Sequence, residues 1–272
     1  MKAGIYIGKD SFEQELRFIN LLKELSAGGC ETYRVVSREE LQDNTDMLLS
    51  VGGDGTFLSA SEIVADRDIP VVGVNLGRMG FLSENSPEEL AQPLLSGDYT
   101  VENRAMLEVL PQGDVVLPAG CCRALNEMTV HRNGPSMLEV EVCIDGIRLP
   151  TYRADGLIVS TSSGSTAYSL SVGGPIVLPE AKVLIISPIA PHNLNMRPLV
   201  IPDAARIDLR MCSRDKDFVF SADNRSVILE EGASLSVTVA QFSLKRVRLN
   251  RSNFINALTQ KLFWGEDVRN IK

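Results

Sequence analysis

Met47-Leu48-Leu49-Ser50-Val51-Gly52-Gly53-Asp54-Gly55-Thr56-Phe57-Leu58 is the stretch that decides how this chain is read. Its first five residues form an apolar run of the length of a buried strand. Gly52, Gly53 and Gly55 then make a tight turn, and Phe57-Leu58-Ser59-Ala60-Ser61-Glu62-Ile63-Val64 continues as a helix. A strand feeding a glycine-rich turn that opens a helix is a phosphate cradle. Glycines admit an anion close to the backbone, and the first N–H groups of a helix have no partner within it. Asp54 in the middle is unexpected, because a carboxylate repels phosphate unless it binds a metal, orients a hydroxyl or takes a proton. The segment therefore points to phosphoryl transfer onto an alcohol. The competing reading is an ordinary strand-to-helix turn in which Asp54 caps the helix.

Outward from this turn, strands and helices alternate. Ala3–Ile7 reads as a strand and Phe12–Leu25 as a helix with Leu16, Ile19, Leu22 and Leu25 on its apolar face. Thr32–Val36, Met47–Val51 and Ile69–Val74 read as further strands. Ser86-Pro87-Glu88-Glu89 has the pattern of a capping box with proline at the first helical position, so a helix is expected there. This alternation predicts a Rossmann-like α/β domain over residues 1–100, with a parallel sheet covered by helices. Ligands then bind at the carboxyl ends of the strands, where Gly52–Gly55 and Asn75–Gly80 both fall.

Past residue 100 the helical periodicity fades. Glu139-Val140-Glu141-Val142-Cys143-Ile144 alternates and turns at Asp145-Gly146, a hairpin signal. Ile207–Arg210, Phe218–Ser221, Ser226–Leu229 and Ser234–Val239 read as short strands, so residues 101–249 are expected to form an all-β, sandwich-like domain. Phe254, Leu258, Leu262 and Phe263 share one face of a helix ending near Trp264-Gly265. Residues 250–272 are expected to return to the first domain.

The 272 residues are 44% hydrophobic and 23% charged, the balance of a soluble globular protein. Nothing reaches the roughly 20 apolar residues of a membrane span, and the N-terminus lacks a signal-peptide core. Five scattered cysteines show no metal-finger spacing and suit a reducing, cytoplasmic location. A net charge of −8 disfavours nucleic-acid and anionic-membrane partners. Local positive charge could still come from Arg104, Arg123, Arg132, Arg153 or Arg197.

A second informative segment runs from Asp155 to Pro175. An apolar strand enters Ser160-Thr161-Ser162-Ser163-Gly164-Ser165-Thr166-Ala167-Tyr168-Ser169-Leu170-Ser171, a loop of hydroxyls and small residues with one aromatic. Such a loop can bond sugar hydroxyls and stack a purine on Tyr168, or it can be a plain connection with Tyr168 filling the core. Asn126-Glu127 could contact ribose or base edges. Ser187 through Pro198 is proline-rich around His192 and Arg197, and Asp223-Asn224-Arg225 reads as a turn between strands.

Gly52-Gly53-Asp54-Gly55-Thr56, Asn75-Leu76-Gly77-Arg78-Met79-Gly80-Phe81, Asn126-Glu127, Asp155 through Ser171 and Ser187 through Pro198 follow one another as in NAD kinases. The chain resembles that family over essentially its whole length. The first segment alone is shared with diacylglycerol-type lipid kinases and, more loosely, phosphofructokinases. The resemblance implies an active site in a cleft between an α/β and a β-sandwich-like domain. There the ATP γ-phosphoryl group passes to the 2′-hydroxyl of the adenosine ribose of NAD, giving NADP. It implies Asp54 as catalytic base and Gly52, Gly53, Gly55 and Thr56 as the phosphate loop for ATP. It places Asp54, Gly55, Asn126, Glu127, Arg153, Asp155, Ser163, Thr166, Ala167, Tyr168, Ser171 and Asn224 around NAD. Phe81, Ala190 and Asp223 are further candidates, and Asp223 and Asn224 fall where the family places polar groups from a neighbouring subunit. Mg²⁺ is expected to arrive with ATP, without a dedicated metal site, and the protein is expected to be a homodimer or homotetramer.

Three departures stand out. Ser162-Ser163 replaces the family's usual Pro-Thr, Leu76 and Met79 replace commoner residues, and Asn224-Arg225 is not the commonest form of its turn. A lipid kinase built on the same glycine loop would call for a basic amphipathic helix, which this acidic chain does not show. A sensor that binds NAD or NADP without turnover would not need Asp54 inside an intact loop.

Overall fold

The computed structural model describes residues 1–77, 80–250 and 253–265. Strand β1 (Lys2–Ile7) is followed by α1 (Leu16–Ala27), β2 (Glu31–Arg34), β3 (Met47–Val51), α2 (Asp54–Val64), β4 (Val71–Val74) and α3 (Ala91–Ser96). Next come β5 (Tyr99–Gln112), β6 (Arg123–Ala124), β7 (Glu127–Arg132), β8 (Leu138–Ile144), β9 (Ile147–Arg148), β10 (Tyr152–Ala154) and β11 (Gly156–Thr161). The short helix α4 (Tyr168–Ser171) precedes β12 (Val183–Ile189), β13 (Leu199–Pro202), β14 (Ile207–Ser213), β15 (Asp217–Ala222), β16 (Arg225–Glu230) and β17 (Ser234–Leu249). Helix α5 (Phe254–Leu262) comes last. Two compact units emerge. One comprises Met1–Asn103 and the chain from Leu244 onward; the other is Arg104–Ser243.

In the first unit β2, β1, β3 and β4 are parallel neighbours in that order, and Arg246 of β17 lies in parallel register with Val71. All five residues of β3 are buried, which is why its sequence is apolar but for Ser50 rather than alternating. Phe18, Leu21 and Leu25 of α1 pack against Ile5, Met47, Leu49, Val72 and Val74. The buried face is therefore rotated from the expected one, and Leu16 is 73% exposed. A 3₁₀ turn at Asp10–Gln14 and an extended Glu15 delay the helix to Leu16, whose side chain then points to solvent. The expected helix at Ser86 is also modified. Ser86 makes no cap, Pro87–Glu89 form a 3₁₀ turn, and the α-helix runs only over Ala91–Ser96. Pro93 has no N–H to bond Glu89, so the two turns do not fuse.

The second unit is a sandwich. Antiparallel strands in the order β13-β12-β11-β7-β15-β16 form a six-stranded sheet. A second antiparallel layer holds β10, β8, β14 and the start of β17. Alternation in β8, β14 and β15 turns every second residue inward. Val140, Val142, Leu209 and Met211 thereby share one core with Met128, Val130, Leu157, Val159, Phe218 and Phe220. Asp145 (φ 49°) and Gly146 (φ 80°) make the two-residue hairpin turn, where glycine tolerates the left-handed backbone.

Sixteen-residue β17 serves both units, pairing Leu235 with Leu209 and later aligning Arg246 with Val71. The division thus falls inside a strand, at Ser243/Leu244, where composition gives no signal. Asn253 caps α5, its Oδ1 accepting the N–H of Asn256 at 2.8 Å. Ala257 and Leu258 are buried, but Phe263 and Trp264 are more than half exposed. Phe263 takes φ 52°, ending the helix and leaving the expected apolar face.

Candidate functional site

In the first unit the glycine turn follows β3 directly. Gly52 has φ +152°, and a Cβ there would strike the Thr56 side chain. Gly53 and Gly55 are exposed, with open space where a Cβ would stand, so a ligand can approach their backbone at the N-terminus of the 11-residue α2. The Thr56 side chain lies against Gly8 and Gly52.

Asp54 does not cap its helix; the cap position is Gly53. Its carboxylate instead reaches the turn after β4. Oδ2 accepts the N–H of Phe81 at 2.8 Å, and Oδ1 accepts those of Leu82 at 3.0 Å and Ser83 at 2.8 Å. The turn is closed by Gly80 N–H on the Ser83 carbonyl at 3.1 Å. Ser83 Oγ donates to the Gly52 carbonyl at 2.7 Å, tying the turn to the glycine loop. Asn75 braces the same turn, its Nδ2 donating to the Ser83 carbonyl at 2.8 Å and its Oδ1 accepting from Gly77 at 2.7 Å. A Cβ on Gly80 would land on the Asp54 carboxylate, so this position requires glycine for close approach. A carboxylate offers about four acceptor positions. Among the described residues three are occupied, which leaves Oδ2 with one. Leu76 is buried in the core; Arg78 and Met79 lie outside the described residues.

In the second unit Asn126 and Glu127 sit at the start of β7, beside the loop that leaves β11. Thr161 N–H donates to the Asn126 carbonyl at 2.9 Å, and Thr161 Oγ1 donates to the Leu125 carbonyl at 2.7 Å and accepts from Gly164 at 3.1 Å. Gly164 has no room for a Cβ, which would collide with the Asn126 carbonyl. The following turn carries Ser163, Thr166 and Ala167, with Ala167 N–H on the Gly164 carbonyl at 2.9 Å. Asn126 Oδ1, Glu127 Oε2 and Ser163 Oγ are buried without a hydrogen-bond partner among the described residues. Unpaired buried polar atoms are costly and call for a ligand or water. Burial, reinforced by Asp223, pushes the Glu127 carboxyl up to about 8 against an opposing bond from the Tyr168 backbone. Tyr168 is 39% exposed, so it does not fill the core. Ser171 is exposed on the same short helix. Ser162 differs from its neighbour: its Oγ is buried and donates to the Pro179 carbonyl at 2.9 Å.

Other expected residues lie elsewhere. Arg153 is exposed and pairs with Glu139 at 3.1 Å along the β10–β8 ladder. Asp155 pairs with Arg132 at 2.7 Å. Ala190 follows β12 with φ 45° and is exposed. Asn224 is exposed at the β15–β16 turn. Asp223 needs correction. Its side chain is fully buried, and its carboxylate accepts the N–H groups of Leu125 (2.8 Å), Asn126 (2.8 Å) and Glu127 (3.2 Å) of its own chain. Within its own chain it braces Asn126-Glu127.

The amides of Leu82 and Ser83, the close approaches of Gly80 and Gly164, and Lys261 of α5, which donates to the Gly80 carbonyl, escaped sequence reasoning. Backbone donors carry no residue signature. Gly80 and Gly164 stand in glycine-bearing motifs, but only the fold shows what they face. Among the described residues no three His, Cys, Asp or Glu side chains gather in a metal-holding cluster, and no helix is long and apolar enough to cross a membrane.

Known proteins match this arrangement in sequence and shape. The ATP-NAD kinase N-terminal domain family matches residues 7–96, and the ATP-NAD kinase C-terminal domain family matches residues 125–249. An NAD kinase of Flavobacterium psychrophilum is 39% identical over 260 residues, 94% of this chain and 88% of its own. One of Bacteroides fragilis is 42% identical over 235 residues, 85% of this chain and 80% of its own. The crystal structure of an Archaeoglobus fulgidus NAD kinase in complex with ATP superposes with a TM-score of 0.77 at 27% identity, covering 92% of this chain and 95% of that one. Yeast NADH kinase complexed with NADH has the same fold, with a TM-score of 0.87 at 23% identity over 100% of this chain and 90% of its own. Both halves of one enzyme family are matched in order, and the likeness to whole relatives is nearly end to end, so the chain belongs to the NAD kinase family.

Proposed function

We propose that this NAD kinase uses Asp54 as the base that takes the proton of the 2′-hydroxyl of the adenosine ribose of NAD. The observation that carries this reading is the hydrogen-bonding of Asp54. Three backbone amides fix its carboxylate and leave Oδ2 one acceptor position, at a turn flanked by the exposed Gly53 and Gly55. As the O2′–H proton passes to Asp54, the O2′–phosphorus bond forms and the bond to the β-phosphate bridging oxygen breaks, releasing NADP and ADP. The Gly53–Thr56 backbone and the α2 N-terminus would hold the phosphates of ATP, whose charge suits helix N–H donors.

NAD recognition falls to the second unit in this reading. Asn126 Oδ1 and Ser163 Oγ are buried acceptors that its hydroxyl and amine donors would satisfy, and the protonated Glu127 carboxyl can donate to it as well as accept. Tyr168 is exposed enough to stack on a base, with Thr166, Ala167 and Ser171 around it. Asp155 contributes beside Arg132, and Phe81, Arg153, Ala190 and Asn224 remain outer contacts. The divalent ion that travels on the triphosphate supplies charge neutralisation there; the open glycine cradle suits a metal–nucleotide complex.

We also propose a homodimer or homotetramer. The edge strands β13 and β16 of the six-stranded sheet expose Leu199, Val200 and Ile228, which assembly would cover. A cytoplasmic location accords with five free cysteines and with nucleotide substrates. Incubation of the purified protein with NAD, ATP and Mg²⁺ tests the activity. NADP must form with one ADP per NADP, and absence of NADP would leave only nucleotide binding.

A further inference from the structure

The carbonyl of Gly80 accepts a hydrogen bond from Nζ of Lys261 on α5. The N–H of the same peptide unit belongs to Phe81, and it donates to Oδ2 of Asp54 at 2.8 Å. One peptide plane thus carries an ammonium at its oxygen end and a carboxylate at its nitrogen end. We propose that Lys261 is a positioning residue for the phosphoryl transfer, acting on Asp54 through the Gly80–Phe81 peptide. The proposal rests on the reading of Asp54 as the base.

Hydrogen bonds in series polarise one another. A carbonyl that accepts from an ammonium draws electron density from its amide nitrogen, and the N–H becomes a stronger donor. The Phe81 N–H binds the Asp54 oxygen that keeps a position for the substrate proton, so Lys261 acts on the reactive atom without touching it. The surroundings hold this geometry. The Lys261 ammonium also lies over the Phe81 ring at 4.9 Å, and Phe254 of α5 faces that ring at 6.2 Å between centroids. Beyond the turn, Arg246 holds Glu84 at 2.6 Å in an almost fully buried pair and reaches Glu102 at 3.4 Å. The turn is gripped at Gly80 by Lys261 and at Glu84 by Arg246. Burial lowers the Lys261 pKa from the ordinary lysine value, with Arg246 acting the same way and Glu84 and Asp54 opposing.

Steady-state kinetics of Lys261→Gln and Lys261→Arg across a pH series test the proposal. Glutamine can still donate to Gly80 but carries no charge, so kcat falls about tenfold, the weight of one charge-assisted hydrogen bond. The Michaelis constants for ATP and NAD stay unchanged. Arginine restores most of kcat. Because it does not deprotonate, it moves the alkaline edge of the kcat profile to higher pH than in the wild type. Full kcat in Lys261→Gln, a loss carried by the Michaelis constants, or Lys261→Arg no better than Lys261→Gln would each overturn the proposal. If Lys261→Gln does not fold, Lys261→Arg decides alone: an unmoved alkaline edge refutes it. Asp54→Asn run in parallel separates the two readings. Normal turnover there removes the base itself, whereas a slow Asp54→Asn beside unaffected Lys261 variants removes only the role of Lys261.

Discussion

Asp223 and Glu127 clasp each other through the backbone: Asp223 N–H donates to the Glu127 carbonyl at 2.9 Å, and Asp223 Oδ1 accepts the Glu127 N–H at 3.2 Å. Asp223 has φ 49°, a left-handed turn conformation that aspartate tolerates better than most residues. Its carboxylate is the common anchor of three consecutive amides. Asp223→Ala would leave buried N–H groups unpaired and should cost roughly 2–5 kcal/mol of stability. Chemical denaturation measures this. An unchanged midpoint, with activity lost in Asp223→Ala and partly regained in hybrid oligomers with Asp54→Asn, would restore a role for Asp223 in a neighbouring subunit.

Glu127 makes stability depend on pH. An ordinary glutamate ionises near 4.5, whereas burial holds this one protonated up to about 8. Between those values the folded protein keeps a proton that the unfolded chain has released. The stability contribution therefore falls as pH rises from about 4.5 through about 8 and then levels off. Glu127→Gln removes this slope. Unfolding free energies without nucleotide, taken by chemical denaturation from pH 5 to 9 for both proteins, should diverge in favour of the variant as pH rises, by about 1 kcal/mol per unit within that window. Parallel curves would show that Glu127 titrates normally.

Tyr168 is exposed and belongs to the loop that carries Ser163 and Thr166. Tyr168→Ala should weaken NAD binding by roughly 1–3 kcal/mol, the range for stacking on a base, and Tyr168→Phe should cost much less. Equal loss of thermal stability in both variants, with the Michaelis constant for NAD untouched, would make it a packing residue.

Gly80→Ala places a methyl group where the Asp54 carboxylate now lies. The carboxylate or the turn must move, so kcat should fall by on the order of tenfold to a hundredfold, as for a displaced catalytic group, while the fold persists. Circular dichroism and turnover measured together check this. Wild-type kcat would mean that the contact between Gly80 and Asp54 is unimportant.

The parallel sheet, the β-sandwich and the glycine-rich turn were legible because each rests on a local pattern: a run at Met47–Val51 that is apolar but for Ser50, alternation at Leu138–Ile144, and glycines at a strand end. Tertiary relations were not. The apolar face of α1 turned away from Leu16 because Glu15 is extended, and no local pattern announces that. Asp54 was legible as an acid in a glycine-rich turn, but its partners are amides of residues 81–83, whose side chains are irrelevant to the contact. Asp223 looked like a turn residue reaching outward, because a buried carboxylate is rare and its three donors lie about a hundred residues upstream. Lys261 was invisible for the same reason: its acceptor is a backbone carbonyl distant in sequence.

The central claim is that Asp54 takes the proton of the NAD 2′-hydroxyl. Asp54→Asn keeps an oxygen for the amides of Leu82 and Ser83 and removes the base. Single-turnover and steady-state formation of NADP should fall by on the order of 10²-fold or more, with the dissociation constant for NAD little changed by calorimetry. Near-normal turnover in the purified variant would contradict the assignment.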